Sequence, residues 1–472
     1  MIRRYGLALL LMLSFLAGCA SPAKSVDPRN LTYPQLKFAI PPSNRVTLDN
    51  GIVLYLLEDH ELPLVSLTAY FRSGSIYEPA EMTGLAGITG ALIRSGGTAT
   101  LTPDALDAEL EFMASGIESG IGDENGSVSM TTLNRNLDRT LALFAEVMLT
   151  PGFDQGRLDL HKKNTVEAIR RQNDDPKGIA AREFRRALYE NHPLGRVATI
   201  ESINRISRDD VSAFYRSAMQ PAGIILAASG DFDSKTLTAK LNSLLGKWQP
   251  KTAALPAIPQ PDTTPLKRVL QAQKQVSQSV IKMGHLGLEK NNPDQYAVRV
   301  MDYILGGGFT SRLTQEIRSN QGLAYHAGSR FDIGRRFPGT FTAETETKSA
   351  STAKAITLMQ EIIAGMTTAP VTNEELQQAR ESIINAFIFG FTRADSIVTQ
   401  QARLEFFDYP QGYLENFRDN IARVTADDIL QAAKKYLHPE AMTIMVVGDE
   451  KKFDQPLSIF GKVTEIKLEN GK

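Results

Sequence analysis

The stretch FRSGSIYEPAEMTGLAGITGALIRSGGT, residues 71–98, decides how this chain is read. Its landmarks are Arg72-Ser73-Gly74-Ser75, Glu78, Gly84-Leu85-Ala86 and Gly97-Thr98. The five residues after Gly84-Leu85-Ala86 are Gly87-Ile88-Thr89-Gly90-Ala91, and positions 87, 90 and 91 carry no side chain able to bind a metal or accept a proton. Just upstream, residues 64–71 alternate, with Val65, Leu67, Ala69 and Phe71 on one face, the period of a half-buried strand. Before that, Val46-Thr47-Leu48 and residues 52–57 flank Asp49-Asn50-Gly51, a strong hairpin-turn signal. Downstream, helices are expected through 137–148 and 158–172, with a third opened by Ser207 as N-cap. Residues 224–228 form a short apolar strand ending at Gly230-Asp231. Strands, then helices, then a returning strand suit an α+β fold in layers.

This unit occurs twice. His192-Pro193-x-Gly195 is echoed by Tyr409-Pro410-x-Gly412, and Ile206-Ser207-x-Asp209-Asp210-Val211 by Val424-Thr425-x-Asp427-Asp428-Ile429. Pro221 and Gly230-Asp231 return as Pro439 and Gly448-Asp449 at nearly constant spacing, and Thr150-Pro151 returns as Ala369-Pro370. In the second copy Thr372-x-x-Glu375 is a capping box before a long helix. Pro250, Pro256, Pro259, Pro261 and Pro265 mark an extended linker between the copies. The expected organisation is a signal peptide at 1–18, a tether at 19–42, a first half at 43–249, the linker at 250–265 and a second half at 266–455.

Residues 71–98 resemble the first active-site segment of the insulinase/pitrilysin family, the inverted zincins that include mitochondrial processing peptidase. A second run resembles that family's second-half signature: Leu305-Gly306-Gly307-Gly308-Phe309, then Ser311-Arg312-Leu313, then residues 316–325, EIRSNQGLAY. The resemblance implies two homologous α/β-layered halves facing each other, clam-like, around a peptide chamber. In active members Gly-Leu-Ala leads into H-x-x-E-H, whose two histidines hold zinc while the glutamate polarises water. Gly87, Gly90 and Ala91 stand at those positions here. The third zinc ligand of active members lies in a segment like V-x-x-E-I, matched by Thr165-Val166-Glu167-Ala168-Ile169. That alignment places Ala168 at the ligand position and Glu167 one residue off, and one residue is about 100° of helix. A shift of one residue would make Glu167 the ligand, still alone where catalytic zinc takes about three. A family G-G-x-x-N-A-x-T run is also altered, with Ser119 for Asn and Gly122 for Thr. The six histidines, His60, His161, His192, His285, His326 and His438, include no two within four residues, so no local helical pair exists. A site assembled from distant histidines stays open.

The second half keeps the family pattern. Arg318 and Tyr325 match an Arg/Tyr pair that relatives contribute to the active site from this half. A guanidinium and a phenol suit hydrogen bonding to a peptide carbonyl as it becomes an oxyanion. The bland alternative is that Arg318 caps a helix C-terminus and Tyr325 packs on a strand. No Gly-Lys-Ser/Thr follows the triple glycine, so it is no phosphate loop but a flexible or tightly packed loop. Asp174-Asp175 and Asp209-Asp210 read as helix-end charges rather than acid/base dyads.

The N-terminus opens with Arg3 and Arg4 before an apolar run at 7–16, the layout of a secretory signal. Leu16-Ala17-Gly18-Cys19 resembles a bacterial lipobox, implying cleavage before Cys19, its acylation and a lipid-held periplasmic protein. Ala20, where an aspartate would resemble an inner-membrane retention signal, leans towards the outer membrane. Cys19 is the only cysteine, so neither an internal disulfide nor a thiolate metal site is possible. A net charge of −1 gives no reason to expect nucleic acid as partner.

Some members of the family that this chain resembles split these roles between two polypeptides, and a blank zinc half beside an intact Arg/Tyr half looks like the partner that completes a zinc-bearing relative. The expectations are therefore no cofactor bound by this chain, zinc in a partner subunit, and a peptide or unfolded segment as substrate. Enzymatic activity is left open, with inactivity of the lone chain expected. A non-hydrolytic peptide-binding or scaffold subunit, and a self-sufficient metallopeptidase with an atypical site, are the alternatives.

Overall fold

A computed structural model describes residues 38–249 and 255–468. The signal peptide, Cys19 and most of the tether lie outside the described residues, as do positions 250–254 of the linker.

Twelve strands build two six-stranded sheets among the described residues. The first contains β1 (Asn44–Thr47), β2 (Val53–Glu58), β3 (Leu64–Phe71), β4 (Gly116–Ile121), β5 (Gly126–Leu133) and β6 (Ile225–Gly230), in the order β1-β2-β6-β3-β5-β4. The second contains β7 (Arg268–Gln273), β8 (Gln278–Leu286), β9 (Ala324–Phe331), β10 (Thr340–Lys348), β11 (Thr443–Gly448) and β12 (Val463–Glu465), in the order β12-β7-β11-β8-β10-β9. Five strands correspond one to one. In each sheet the opening strand runs parallel to the returning one, β2 with β6 and β7 with β11. The inner hairpin strands are antiparallel in both. The sixth strand differs: β1 precedes β2 and is antiparallel to it, whereas β12 comes after β11 and is parallel to β7. β12 thus extends the second half past residue 455.

Local sequence explains much of this. Gly51, at φ 87°, supplies the left-handed residue of the Asp49-Asn50-Gly51 turn between β1 and β2. Val65, Leu67, Ala69 and Phe71 face the first core, as the alternation requires. Ser207 and Asp210 form a capping box at the Arg208–Ala218 helix, and Thr372 and Glu375 form one at Asn373–Phe389. Asp175 caps the Pro176–Tyr189 helix by accepting from the Lys177 and Gly178 amides, so these aspartates are helix-end charges.

β6 is apolar on both faces. Leu226 and Ala228 enter the first core, while Ile225 and Ala227 pack with Tyr70 against Val398, Ala402, Phe406 and Phe407. The first three of those four lie on the Ala394–Phe406 helix, which belongs to the second half. The exchange is reciprocal. Ile179, Ala180 and Phe184 of the first half's Pro176–Tyr189 helix cover Leu270, Ala272, Val280, Met445 and Val447 of the second sheet. Each half therefore buries the back of its sheet under a helix of the other. Polar contacts follow the same seams. Arg45 grips Glu405 through Nε and Nη2, both at 2.7 Å, Lys177 pairs with Glu346 at 2.8 Å, and the Tyr189 hydroxyl donates to the Pro338 carbonyl at 3.0 Å. Among the described residues no helix is long and apolar enough to cross a membrane.

His285 sits in the second core, 3% exposed, beside Phe331 and Phe341. Its Nδ1 donates to the Leu286 carbonyl at 2.9 Å, and its Nε2 is buried without a partner. Burial, with a smaller contribution from His438, pulls its pKa down to about 4.

Two outcomes follow from the packing. Phe406→Ala removes a ring shared by the halves and should cost about 3–5 kcal/mol; because the helices are exchanged, denaturant melts of the wild type should show one transition, and two separated transitions would contradict the exchange. For His285, the unfolded chain takes up a proton below its ordinary pKa of 6.5 while the folded chain waits until about 4. Stability contributed by this residue is therefore full above 6.5 and lost as pH falls towards 4, by roughly 3 kcal/mol. Urea midpoints of His285→Phe should fall less between pH 7 and pH 5 than those of the wild type; parallel profiles would rule the assignment out.

Candidate functional site

The Leu85–Ser95 helix carries the positions at which the family places its metal ligands. Its entry is built by Gly84, at φ 108°, and by Glu78, which is 4% exposed. The Glu78 carboxylate accepts from the Gly84 amide at 3.0 Å and the Ala86 amide at 2.9 Å, so it caps the helix N-terminus. Burial pushes its pKa up, and those two amide bonds oppose the shift.

Gly87 faces open space: a Cβ there would meet nothing within 4 Å. Ala91, one turn on, is half-buried. Gly90 is different. A Cβ at Gly90 would lie 2.3 Å from the Ile121 nitrogen and 2.8 Å from the Gly120 carbonyl carbon. The helix is pressed onto the backbone of β4, and only glycine permits that approach. Ser119 locks it there. Its hydroxyl accepts from the Arg94 amide at 3.0 Å and donates to the Gly90 carbonyl at 2.6 Å, bridging two groups one helical turn apart. Arg94 adds a bond from Nε to the Ile117 carbonyl at 3.1 Å and an ion pair with Asp107. The serine at the altered family position thus ties helix to strand.

The third position is equally bare of donors. Ala168 is exposed on the Gln155–Arg171 helix, and the neighbouring Glu167 is ion-paired to Arg170 at 2.5 Å. The same helix brings His161 to the first: its Nε2 lies 2.8 Å from the Ser95 hydroxyl. Burial, reinforced by Arg157, lowers the His161 pKa. Residue spacing alone did not mark His161. Among the described residues no three His, Cys, Asp or Glu side chains converge as a metal site. The donors present here do not fit the zinc that the fold family implies.

In the second half, Arg318 and Tyr325 do come together. The helix Gln295–Asp302 runs into a π-helical turn, Tyr303–Gly307, and a second π-helical segment, Thr314–Asn320, carries Arg318 in its last turn. Such wide turns recur at functional sites. The triple glycine packs tightly: a Cβ at Gly306 would fall 2.1 Å from the Ser329 nitrogen of β9. The Arg318 guanidinium carbon lies 4.9 Å from the Tyr325 ring centroid and 5.3 Å from that of Phe309. Tyr325 is 85% exposed and Phe309 75% exposed. Tyr325 therefore does not pack on its strand, and Phe309 is a third member that residue matching passed over.

A β-bulge explains the exposure. Ala327 pairs with Thr345 and Ala324 with Thr347, so Tyr325 and His326 together oppose Glu346. The extra residue re-aims the strand and turns both side chains outward. Thr345 and Thr347 donate hydroxyls to the His326 and Leu323 carbonyls, each at 2.8 Å, satisfying the disrupted ladder. Glu346 is also the residue that Lys177 holds at 2.8 Å from the first half. Lys177 lies in the Pro176–Tyr189 helix, so this ion pair joins the bulge to the helix that follows the one bearing Glu167 and Ala168.

Gly90→Ala should destabilise the protein by about 1–3 kcal/mol through overpacking against β4. Gly87→His with Gly90→Glu and Ala91→His should not restore tight zinc binding either, because a side chain at position 90 pushes the helix off β4 and Ala168 still offers no third ligand. Calorimetric titration with zinc checks this; a stoichiometric, tight site in the triple variant would overturn it.

The model for Insulinase (Peptidase family M16) matches residues 54–199, and that for the Peptidase M16 inactive domain matches residues 205–383. A Helicobacter pylori protein called a non-peptidase homolog is 23% identical over 400 residues, covering 84% of this chain and 91% of its own. The crystal structure of a peptidase M16 inactive domain from Pseudomonas fluorescens superposes with a TM-score of 0.78 at 26% identity, covering 86% of this chain and 98% of its own. The periplasmic protease PqqL from Escherichia coli gives a TM-score of 0.73 at 16% identity, with 94% of this chain matching 50% of that one. Two matching domain models and a duplicated sheet of one topology lead to a single assignment: this chain belongs to the M16, or insulinase, peptidase family.

Proposed function

We propose that this chain is the non-zinc subunit of a two-component M16 peptidase and has no hydrolytic centre of its own. The observation that carries this reading is an asymmetry. The first-half ligand positions are Gly87, Gly90, Ala91 and Ala168, while in the second half a bulge holds Tyr325 in solvent against Arg318. Solvent-exposed aromatic rings stacked on a cation suit contact with another molecule. In this reading Arg318 and Tyr325 bind the substrate carbonyl beside a zinc that a related subunit supplies. The name of the Helicobacter pylori relative, a non-peptidase homolog, supports inactivity of the lone chain.

Substrates are peptides or unfolded segments. The sequence suggests strand addition near residues 119–128; β5 is paired on both sides, so in the sheet the open edge for an extended peptide is β4, Gly116–Ile121. Acylation of Cys19 holds the subunit at a periplasmic membrane surface, the outer membrane in preference to the inner, and raises the local concentration of a partner held on the same surface. The described second reading is a peptide-holding or scaffold subunit, favoured by the same free edge and by the absence of donors at the first-half positions.

The test is co-purification with a zinc-bearing M16 protein encoded beside this one, followed by assay of an unfolded substrate. The pair should hydrolyse it and the lone chain should not. Arg318→Ala with Tyr325→Phe should reduce turnover by the pair on the order of a hundred-fold or more while leaving association intact. Unchanged turnover would defeat the completing-subunit reading; peptide binding without hydrolysis by any pair would favour the scaffold.

A further inference from the structure

The turn His192-Pro193-x-Gly195 meets two other parts of the chain, the linker and the β9–β10 connection of the second half. Phe337 of that connection is buried with Ile76 and Leu194 of the first half, and Tyr77, Tyr189 and the linker's Ile258 pack around them. Hydrogen bonds tie the same parts. The Tyr189 hydroxyl donates to the Pro338 carbonyl at 3.0 Å, and the Gln260 side-chain amide donates to the Arg336 carbonyl at 3.3 Å. First half, linker and second half thus converge on one apolar cluster.

His192 stands within it, 7% exposed, its ring centroid 4.9 Å from that of Phe337 and 6.0 Å from that of Tyr189. Both ring nitrogens are committed. Nδ1 accepts from the Leu194 amide at 3.2 Å, which assigns the proton to Nε2, and Nε2 donates to the Pro259 carbonyl at 3.0 Å. The neutral ring therefore holds its own turn with one nitrogen and the linker with the other. An imidazolium cannot keep both bonds, because its Nδ1 proton would face the Leu194 N–H. The carboxylates around it are committed elsewhere: Glu190 pairs with Arg268, Asp123 with Arg185 and Asp332 with Arg330. Asp262 accepts from the Thr264 amide, and buried Glu124 answers Arg335 and Arg336. Arg196, which donates to the Glu78 carbonyl at 2.8 Å, sets a like charge against an imidazolium, and Arg336 is a further cation in the cluster. Burial, opposed by the Pro259 bond and reinforced by Arg196, lowers the His192 pKa.

We propose that His192 is a proton-operated latch: neutral, it clasps the linker and the Phe337 connection onto the first half, and protonated, it releases them. The exchanged helices hold the halves together in either state. What opens is the strap of linker, and with it a cavity of about 400 Å³ lined by Glu190, His192, Pro259, Asp262 and Arg268. The open latch takes up its proton at the ordinary histidine value of 6.5, and the closed latch only below it. Closure is therefore complete above 6.5 and weakens as pH falls.

The experiment is hydrogen–deuterium exchange of the full chain, corrected for the intrinsic pH dependence of amide exchange. Between pH 7 and pH 5, exchange in segments 255–262 and 332–339 should rise by about ten-fold or more. The seam under the Ala394–Phe406 helix should keep its protection. His192→Asn retains an oxygen that can accept from the amide two residues on, and it cannot charge. Its linker should exchange at one rate at both pH values. His192→Gln, which keeps an amide donor for the Pro259 carbonyl, makes the same comparison if the shorter side chain unsettles the fold. His285→Phe removes the other buried imidazole and should keep the step. The latch is overturned if the wild type shows no step in these segments, if the whole chain loosens together, if the step survives loss of the His192 imidazole, or if His285→Phe abolishes it.

Discussion

The rest of this structure depends on one packing demand. The inner strands of both sheets are apolar on two faces, and one face of each is covered by a helix of the other half. Val398, Ala402 and Phe406 from the second half close the first sheet, and Ile179, Ala180 and Phe184 from the first half close the second. Burying such side chains contributes roughly 1.5–3 kcal/mol each. The exchange therefore binds the halves far more firmly than the surface ion pairs Arg45–Glu405 and Lys177–Glu346 could. It also fixes geometry. The same Pro176–Tyr189 helix that covers the second sheet carries Lys177 to Glu346 beside the bulge at Tyr325.

In the first half the backbone of β4 occupies the space that a side chain at position 90 would need, while Gly87 faces open space. At Gly90 helix and strand touch, and Ser119 bridges Arg94 and Gly90 across the contact. Glu78 still caps the helix, and Gly84 still opens it. Cap, turn and core packing stabilise this segment whether or not a metal is held. A close glycine contact improves helix–sheet packing, and the same contact excludes a general base.

What could be read from sequence follows from the range of the interactions involved. The alternation of Leu64–Phe71, the Asp49-Asn50-Gly51 turn and the Ser207 and Thr372 caps are local, and all appear in the fold. The duplication was legible because turn and cap landmarks recur in order, and the two sheets share five strands in one topology. The helix exchange was not legible. Ile179 and Phe184 declare an apolar face but not which sheet it will meet. β12 was missed because three residues at a sheet edge carry little pattern. The bulge that exposes Tyr325 depends on register against β10, which no single segment encodes. The role of Ser119 was hidden for the same reason: a serine in a strand says nothing of a helix amide behind it.

The two halves therefore differ in how they treat exposed chemistry. Folding normally removes large aromatic rings from water, and this chain does so for Phe331, Phe341 and Phe406. It nonetheless holds Phe309 and Tyr325 at 75% and 85% exposure with Arg318 beside both rings. A chain needing only stability would gain by straightening β9 and laying Tyr325 on the sheet. The bulge does the opposite, and Thr345 and Thr347 satisfy its freed carbonyls so that it persists. An exposed, donor-bearing surface held up by local structure against the hydrophobic effect is the one that the proposed substrate contact would use.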